Sequence, residues 1–485
     1  MEADALRTRL ETHGQLVRWP DGVPGAFTEV VTDSRKAVPG SLFVAYAGVS
    51  NDGHAFIPAA VKAGAAAVIA ERPVADVPVP VLEVKNGRRA AAIAAALRYG
   101  DPVERLKLIA VTGTNGKTTT VHLIRHILGA AAPASSLGTL GAIDTEGRKL
   151  PGTGSLTTPG PVELQQTLAA LHEAGSRFVA MEASSHALDQ DRLWGLRFSV
   201  GVFTNLTREH LDYHKTEDAY LSAKLKLVDY LEPGGWTAVN ADDPAWRSLE
   251  NRERSVRFGI ETAAEVRATA IEGDRLGMRF TIQARGESLS ASIPLPGRYN
   301  VANALGAAAA ALALGLELRA VVDRLATAPQ VPGRMERLAE EPCVVLRDYA
   351  HTPDGMERAL AAVRALTPGR LILVFGCGGD RDRGKRPIMG AIAARDADLT
   401  ILTCDNPRTE SLDRIMDDIE MGMGETPHLR IDDRADAIAR AIAIARPEDV
   451  VLLAGKGHED YQLIGTEKLH FDEREVVAEV VARRR

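Results

Sequence analysis

One stretch constrains the fold more than any other. Leu106-Lys-Leu-Ile-Ala-Val-Thr112 is an apolar run of strand length, Gly113-Thr-Asn-Gly-Lys-Thr-Thr119 is a glycine turn, and Val121, Ile124 and Leu128 then recur at helical spacing. Strand, tight turn and helix in that order belong to a βαβ unit, and so to a mostly parallel sheet. The turn also carries chemistry. Its backbone N–H groups and the helix N-terminus can cradle phosphate, Lys117 can reach the β- and γ-phosphates, and the Thr118 hydroxyl suits Mg²⁺. The long form of the phosphate loop has a glycine where Val111 stands. Gly113, Thr114, Asn115, Gly116, Lys117, Thr118 and Thr119 therefore make a shorter version of it.

The remaining chain repeats this logic. At roughly 150 residues per domain, 485 residues suggest about three domains. Residues 1–86 carry strand candidates at 41–48, 65–71 and 80–84, with a helix at 54–64. Residues 87–331 carry strands at 106–112, 177–183, 199–205 and 236–240, and end in the linker-like Ala328-Pro-Gln-Val-Pro-Gly333. Residues 332–485 carry strands at 343–349, 370–376, 398–404 and 449–455, and a helix with Met356, Leu360 and Val363 on one face. The expected fold class is α/β in three modules. Nearly every strand of the last two modules runs into a polar or glycine-rich loop. In parallel sheets ligands sit beyond the carboxyl ends of strands, so the chemistry is expected across these loops.

Composition narrows the class. Hydrophobic residues make up 45% and charged residues 25%, an ordinary soluble mix with ample core. The net charge of −7 argues against a nucleic-acid protein that depends on a basic surface. The start, MEADALRTRLETHG, lacks the order of a signal peptide. Val301–Leu316, the longest apolar stretch, is mostly alanine and glycine and reads as a buried helix, so no membrane insertion is expected. Cys343, Cys377 and Cys404 lie far apart without metal spacing and read as free thiols in a reducing cytoplasm.

GTNGKTT is the short loop of ATP-dependent amide ligases, and the other loops sharpen that likeness. Asp33-Ser-Arg, Asp52-Gly-His, Thr157-Thr-Pro, Glu182-Ala-Ser-Ser-His, His210-Leu-Asp-Tyr-His, Asn240-Ala-Asp-Asp-Pro, Pro332-Gly-Arg, Asp348-Tyr-Ala-His, Gly376-Cys-Gly-Gly-Asp-Arg, Asp405-Asn-Pro-Arg and Gly455-Lys-Gly-His-Glu follow one another in family order. Together they resemble the Mur ligase family, in its tripeptide-synthetase branch, over nearly the whole chain. The resemblance implies a UDP-substrate-binding α/β domain, a central ATP-binding domain of phosphate-loop type and a Rossmann-like C-terminal domain that binds the amino acid. It implies a monomer that uses ATP and Mg²⁺, two ions of it, to join a diamino acid to UDP-MurNAc-L-Ala-D-Glu through an acyl phosphate. Such an intermediate needs cations around the triphosphate and exclusion of water, for which the third module is expected to close as a lid. A lysine-adding enzyme and a folylpolyglutamate synthetase-like ligase are the alternatives.

Carried residue by residue, the resemblance makes Lys117, Glu182, His210 and Lys224 catalytic. Thr118, Glu182, His210 and Lys224 would hold metal, Lys224 as a carbamate (N6-carboxylysine) formed from CO₂ and a neutral amine. Register with the HLDYH loop selects Lys224 over Lys226. Asn300, Asn303, Arg334 and Asp348 are implied near ATP, with His351 beside them. Ser34, Thr157, Thr158, Ser184, Gln190 and Arg192 are implied on the UDP-muramoyl dipeptide, Arg192 through a carboxylate of D-Glu. Val49, Ser50 and Asn51, just before Asp52, take no individual role. Arg381, Asp405, Asn406, Pro407, Arg408, Gly455 and Glu459 are implied around the amino acid. A guanidinium at Arg408 would meet the far carboxylate that distinguishes meso-diaminopimelate from lysine. Each has a purely structural alternative: a helix cap for Glu182, a hydrogen-bonded loop histidine for His210, a surface lysine for Lys224, packing for Asn303, an interdomain salt bridge for Arg334 and Asp348. For Arg408 it is a helix cap or a pair with Glu410.

Overall fold

Short runs of valine, isoleucine, leucine and alanine between polar loops become buried parallel strands. The computed structural model describes residues 1–48 and 51–483; Val49 and Ser50 lie outside the described residues. Contacts divide the chain into two units, Met1–Val266 with Leu305–Val321, and Arg267–Ala304 with Val322–Arg485.

The first unit holds two sheets. The N-terminal one contains β1 (Leu16–Arg18), β2 (Val30–Val31), β3 (Ser41–Val44), β4 (Ala65–Ala70) and β5 (Val81–Val84), in the order β1-β5-β4-β3-β2. Only the β1–β5 pair is antiparallel. Leu42, Val44, Ile69 and Leu82 pack against the alanine face of the helix Gly87–Arg98, whose start is capped by the Asn86 side chain accepting from the Arg89 N–H. The larger sheet has β6 (Lys107–Thr112), β7 (Ala134–Gly138), β8 (Gly141–Ile143), β9 (Phe178–Glu182), β10 (Phe198–Phe203), β11 (Leu231–Asn240) and β12 (Ser255–Gly259). Within this unit their order is β12-β11-β10-β6-β9-β7-β8. All neighbours run parallel except the β7–β8 hairpin. The carboxyl ends of β6, β9, β10 and β11 therefore share one edge, where the phosphate loop, Glu182, Thr204 and Asn240 lie.

The second unit begins with antiparallel strands β13 (Val266–Asp274), β14 (Gly277–Ala284) and β15 (Glu287–Ile293). Its six-stranded sheet uses β16 (Glu336–Ala339), β17 (Val344–Asp348), β18 (Leu371–Phe375), β19 (Leu399–Leu402), β20 (His428–Arg430) and β21 (Val450–Ala454), in the order β16-β17-β21-β18-β19-β20. Apart from β16, the pairs are parallel. A separate hairpin, β22 (Tyr461–Ile464) with β23 (Glu467–His470), follows.

Every strand expected from the sequence is present. Val121, Ile124 and Leu128 are buried on the helix Lys117–Leu128, and Met356, Leu360 and Val363 on the helix Pro353–Arg364. The alanine-rich segment is the helix Arg298–Ala313, with Val301 and Ala307–Ala311 fully buried. Among the described residues no helix is long and apolar enough to cross a membrane. The three cysteines are buried and form no disulfide with one another.

Candidate active site

The loop after β6 is shaped by close approach. A Cβ at Gly113, whose φ is +147°, would stand 1.9 Å from the Thr204 hydroxyl, so only glycine fits there. Thr204 Oγ1 donates to the Asn115 carbonyl at 2.7 Å, and the Asn115 N–H donates to Asn205 Oδ1 at 3.0 Å, which fixes the loop against the end of β10. Lys117 folds back over the turn, its Nζ donating to the carbonyls of Gly113 at 2.9 Å and Thr114 at 2.8 Å.

Glu182, the last residue of β9, is 1% exposed and does not cap a helix. Its Oε1 accepts from the Thr118 hydroxyl at 3.0 Å and from the Thr139 N–H at 2.8 Å. A Cβ at Gly138 would lie 2.2 Å from that oxygen, so the absence of a side chain there makes room for the carboxylate. Lys224 is no surface lysine: it is 1% exposed, and its Nζ donates to the Gly113 carbonyl at 2.7 Å. Lys117 and Lys224 thus share one carbonyl oxygen. Two ammonium groups so placed repel, and burial followed by the Lys117 charge pushes the Lys224 amine well below the usual lysine range. Lys226, by contrast, is exposed and paired with Asp189 at 2.7 Å.

His210 sits at φ +55°, in the left-handed region, and heads the short helix Leu211–His214. Its ring packs edge-on to His186 at 4.8 Å. Burial first, then Lys117 and Lys224, push it down to about 4, so at neutral pH it is an uncharged imidazole with a lone pair to offer. Among the described residues no three His, Cys, Asp or Glu side chains gather as a metal site. The groups that could hold a metal here are of another kind: the Thr118 hydroxyl bound to the Glu182 carboxylate, the His210 imidazole, and Lys224, whose amine burial pushes toward its neutral form. With Lys224 as a carbamate the set gains a second anionic oxygen donor, which fits Mg²⁺.

Beside Glu182 lies a polar cleft. Thr158, 1% exposed, donates to the Glu182 carbonyl at 2.8 Å and accepts from the Ser184 N–H at 3.1 Å. The Thr157 hydroxyl meets that of Thr139 at 3.2 Å. Ser184 caps the helix Ser185–Asp189. Arg192 donates to Gln190 Oε1 through Nε at 3.1 Å and Nη2 at 2.8 Å, and to the Thr158 carbonyl through Nη1 at 3.0 Å. These five residues are therefore brought together. Ser34 stands apart from them, half-buried at the head of a short turn capped by Asp33.

In the second unit Asn300 and Asn303 are buried, Asn303 Nδ2 donating to Asn300 Oδ1 at 3.1 Å and Asn300 Nδ2 to the Pro296 carbonyl at 2.8 Å. Arg334 lies over the Tyr349 ring at 4.8 Å. Asp348 accepts from the Met335 N–H at 2.8 Å, and burial raises its carboxyl above the usual range. His351 is exposed, its Nδ1 2.8 Å from the Tyr349 carbonyl.

The Asp405–Arg408 loop is tightly held. Asn406 Nδ2 donates to Glu459 Oε2 at 2.8 Å, and Asn406 Oδ1 accepts from Lys456 Nζ at 3.2 Å and from the Leu463 N–H at 2.9 Å. Gly455 has φ +109°, and a Cβ there would stand 2.8 Å from Asp405 Oδ2. Arg408 has φ +53° and directs Nη1 to the Gly379 carbonyl at 2.8 Å. It does not pair with Glu410, which is taken by the fully buried Arg386 at 2.7 Å. Arg381 is exposed, and Gly378 lies between it and Arg408, so a Cβ at 378 would be 3.8 Å from Arg381 Cγ and 3.0 Å from Arg408 Nη1. Thr204, Asn205, Arg386 and Lys456 take no role from the sequence alone. The structure makes them the hydrogen-bonding frame of the two sites.

The parallel sheet orders, the short phosphate loop and the carboxylate-hydroxyl-lysine cluster define a phosphate-loop nucleotide-binding architecture. Family models match residues 26–110 (Mur ligase family, catalytic domain), 111–311 (Mur ligase middle domain) and 333–457 (Mur ligase, glutamate ligase domain). The chain belongs to the Mur ligase family. It is 46% identical to the UDP-N-acetylmuramoyl-L-alanyl-D-glutamate--2,6-diaminopimelate ligase of Thermosynechococcus vestitus, over 91% of this chain and 90% of that protein. It is 44% identical to the ligase of the same name from Synechococcus elongatus, over 95% of each. A solved structure of a UDP-N-acetylmuramoyl-L-alanyl-D-glutamate--2,6-diaminopimelate ligase matches with a TM-score of 0.69 and 33% identity, over 96% of each chain.

Proposed function

We propose that this chain is an ATP-dependent ligase that adds meso-diaminopimelate to the D-Glu of UDP-MurNAc-L-Ala-D-Glu, a step of peptidoglycan precursor synthesis. The observation that carries it is the cluster at the end of β6: Lys117 and a buried Lys224 sharing the Gly113 carbonyl, beside Thr118 bound to Glu182.

A carboxylate resists an amine because its carbon is electron-rich and its leaving group would be oxide. One carboxylate oxygen of D-Glu attacks the γ-phosphorus of ATP, and ADP leaves. The amine of diaminopimelate then attacks the acyl carbon, inorganic phosphate leaves and the amine gives up a proton. In this reading the backbone of Gly113–Thr119 cradles the phosphates, and Lys117 turns from its loop carbonyls to the β/γ oxygens. Thr118, Glu182, His210 and Lys224, carbamylated as Lys–NH₂ + CO₂ → Lys–NH–COO⁻ + H⁺, would hold Mg²⁺, which when bound screens the triphosphate from the incoming carboxylate. Thr157, Thr158, Ser184 and Gln190 position the muramoyl peptide, Arg192 holds a D-Glu carboxylate, and Ser34 lies toward the UDP. Asn300, Asn303, Arg334 and Asp348 bind the nucleotide, and Arg381, Asp405, Asn406, Pro407, Arg408, Gly455 and Glu459 bind the amino acid. The expected boundaries of the three functional modules remain residues 86/87 and 331/332.

Phosphate release tests this reading. It is expected only when ATP, the UDP-dipeptide and diaminopimelate are all present, and Lys117→Ala is expected to lower it by about 10²–10³-fold, as for loss of one preorganised cationic donor. Phosphate release from ATP alone at the full rate would contradict it.

A further inference from the structure

Charge is unevenly placed around the turn Asp189–Arg192. Asp189 is paired with Lys226 at 2.7 Å and Asp191 with Arg89 at 3.0 Å, so both carboxylates of the turn already face a cation. Two further guanidiniums meet on Gln190, the residue between them. Arg88 Nη1 donates to its main-chain carbonyl at 3.1 Å, while Arg192 donates twice to its side-chain Oε1 at 3.1 and 2.8 Å. Their other partners are neutral as well: Arg88 Nη2 donates to the Ala47 carbonyl at 3.3 Å, and Arg192 Nη1 to the Thr158 carbonyl at 3.0 Å. Arg88 also lies over the Tyr46 ring at 5.1 Å. Neither side chain forms an ion pair among the described residues.

Both guanidiniums are half-buried, and burial, then the charge of Arg88, holds Arg192 below the ordinary arginine value. Like charges in a partly desolvated cleft repel each other, and an anion placed between them removes that cost. Guanidinium forks match carboxylate and phosphate oxygens in geometry as well as charge. We propose that Arg88 is a substrate-binding residue, forming with Arg192 a dicationic seat for anionic oxygens of the UDP-muramoyl dipeptide. This rests on the function proposed above. Arg88 comes from the start of the helix Gly87–Arg98, which packs on the N-terminal sheet, and Arg192 from the segment after the helix Ser185–Asp189, which follows β9 of the larger sheet, so the ligand's charge bridges two segments of the first unit. The anionic group is either the diphosphate or the free carboxylate of D-Glu; both offer the same acceptor oxygens.

The test is calorimetric titration of UDP-MurNAc-L-Ala-D-Glu, and of UDP alone, into the full chain and the variants Arg88→Met, Arg88→Lys and Arg89→Met. Arg88→Met is expected to weaken the dipeptide substrate about 10- to 100-fold, in line with one charge-assisted pair. Arg88→Lys should recover part of that, and the dissociation constant should depend less on salt in Arg88→Met than in the unaltered chain. Arg89→Met, which breaks the Asp191 pair between the same two segments, should change it less than about threefold. An equal loss for UDP alone assigns the diphosphate; a loss confined to the dipeptide substrate assigns the carboxylate. Binding by Arg88→Met as tight as by the unaltered chain overturns the inference. So does an equal loss in Arg89→Met, which would make Arg88 a structural link between those two segments. Failure of the unaltered chain to bind the UDP-dipeptide would instead overturn the proposed function.

Discussion

Lys224→Ala is expected to lose about 10²–10³-fold in ligation rate, the cost of removing one fixed electrostatic group from a closed site. Part of that loss should return with millimolar formate or acetate, which can occupy the space of the carbamate proposed for Lys224. The basis is geometric. Lys224 is buried, donates to the same carbonyl oxygen as Lys117, and has an amine held well below its usual range. A charged ammonium would be poorly placed there, whereas a neutral amine can add CO₂ and become an anion beside Lys117. Lys224→Arg keeps a cation and cannot form the carbamate, so it should be as inactive as the alanine variant and should not respond to added carboxylate. Lys226→Ala is the contrast: that lysine is exposed on Asp189, and its loss should change the rate less than about threefold. Steady-state rates with and without added carboxylate, read beside intact mass for an added CO₂, check all three. An active Lys224→Ala enzyme would sink the assignment.

The second large effect concerns the amino acid. Diaminopimelate and lysine differ by one carboxylate at the far end of the side chain. Arg408 stands on a loop stiffened by Pro407, pinned to the β22–β23 hairpin by its own N–H on the Leu463 carbonyl at 3.0 Å, and kept clear of Glu410 by Arg386. A site built for a polar group rejects an analogue that lacks it by about 10⁴-fold, because its own polar group is left unpaired. Arg408→Ala should therefore raise KM for diaminopimelate far more than KM for ATP and narrow the preference over lysine. Arg408→Lys should recover little, since one ammonium cannot reproduce the fork. Equal rises in both KM values would show that Arg408 supports the fold of the loop and not the choice of amino acid.

How much of this was legible in the sequence depends on the kind of signal. Parallel core strands such as β6 and β18 are uninterrupted apolar runs and were readable at once. The antiparallel β13–β15 and the β22–β23 hairpin were not, because their half-exposed strands mix charged and apolar residues: β14 alternates buried and exposed positions, and β23 is exposed throughout. Loop positions were readable where residue type restricts what can stand there, as with Gly113, Lys117 and Glu182, and register with the HLDYH loop already singled out Lys224, the buried one of the two lysines. The finding that Glu410 belongs to Arg386 needed tertiary contact. Arg88 was invisible for the same reason. One basic residue in Gly-Arg-Arg has no distinguishing pattern until folding sets it against Gln190 and leaves its neighbour Arg89 with Asp191.

The identity of the product is decided by competition among amino acids in a single reaction. The full chain is incubated with ATP, Mg²⁺, UDP-MurNAc-L-Ala-D-Glu and an equimolar mixture of meso-diaminopimelate, lysine, ornithine and glutamate, and the UDP-linked products are resolved by mass. A single product is expected, heavier than the dipeptide substrate by diaminopimelate less one water and formed with one ADP per bond. A lysine adduct in comparable yield, or a glutamate adduct, would contradict it.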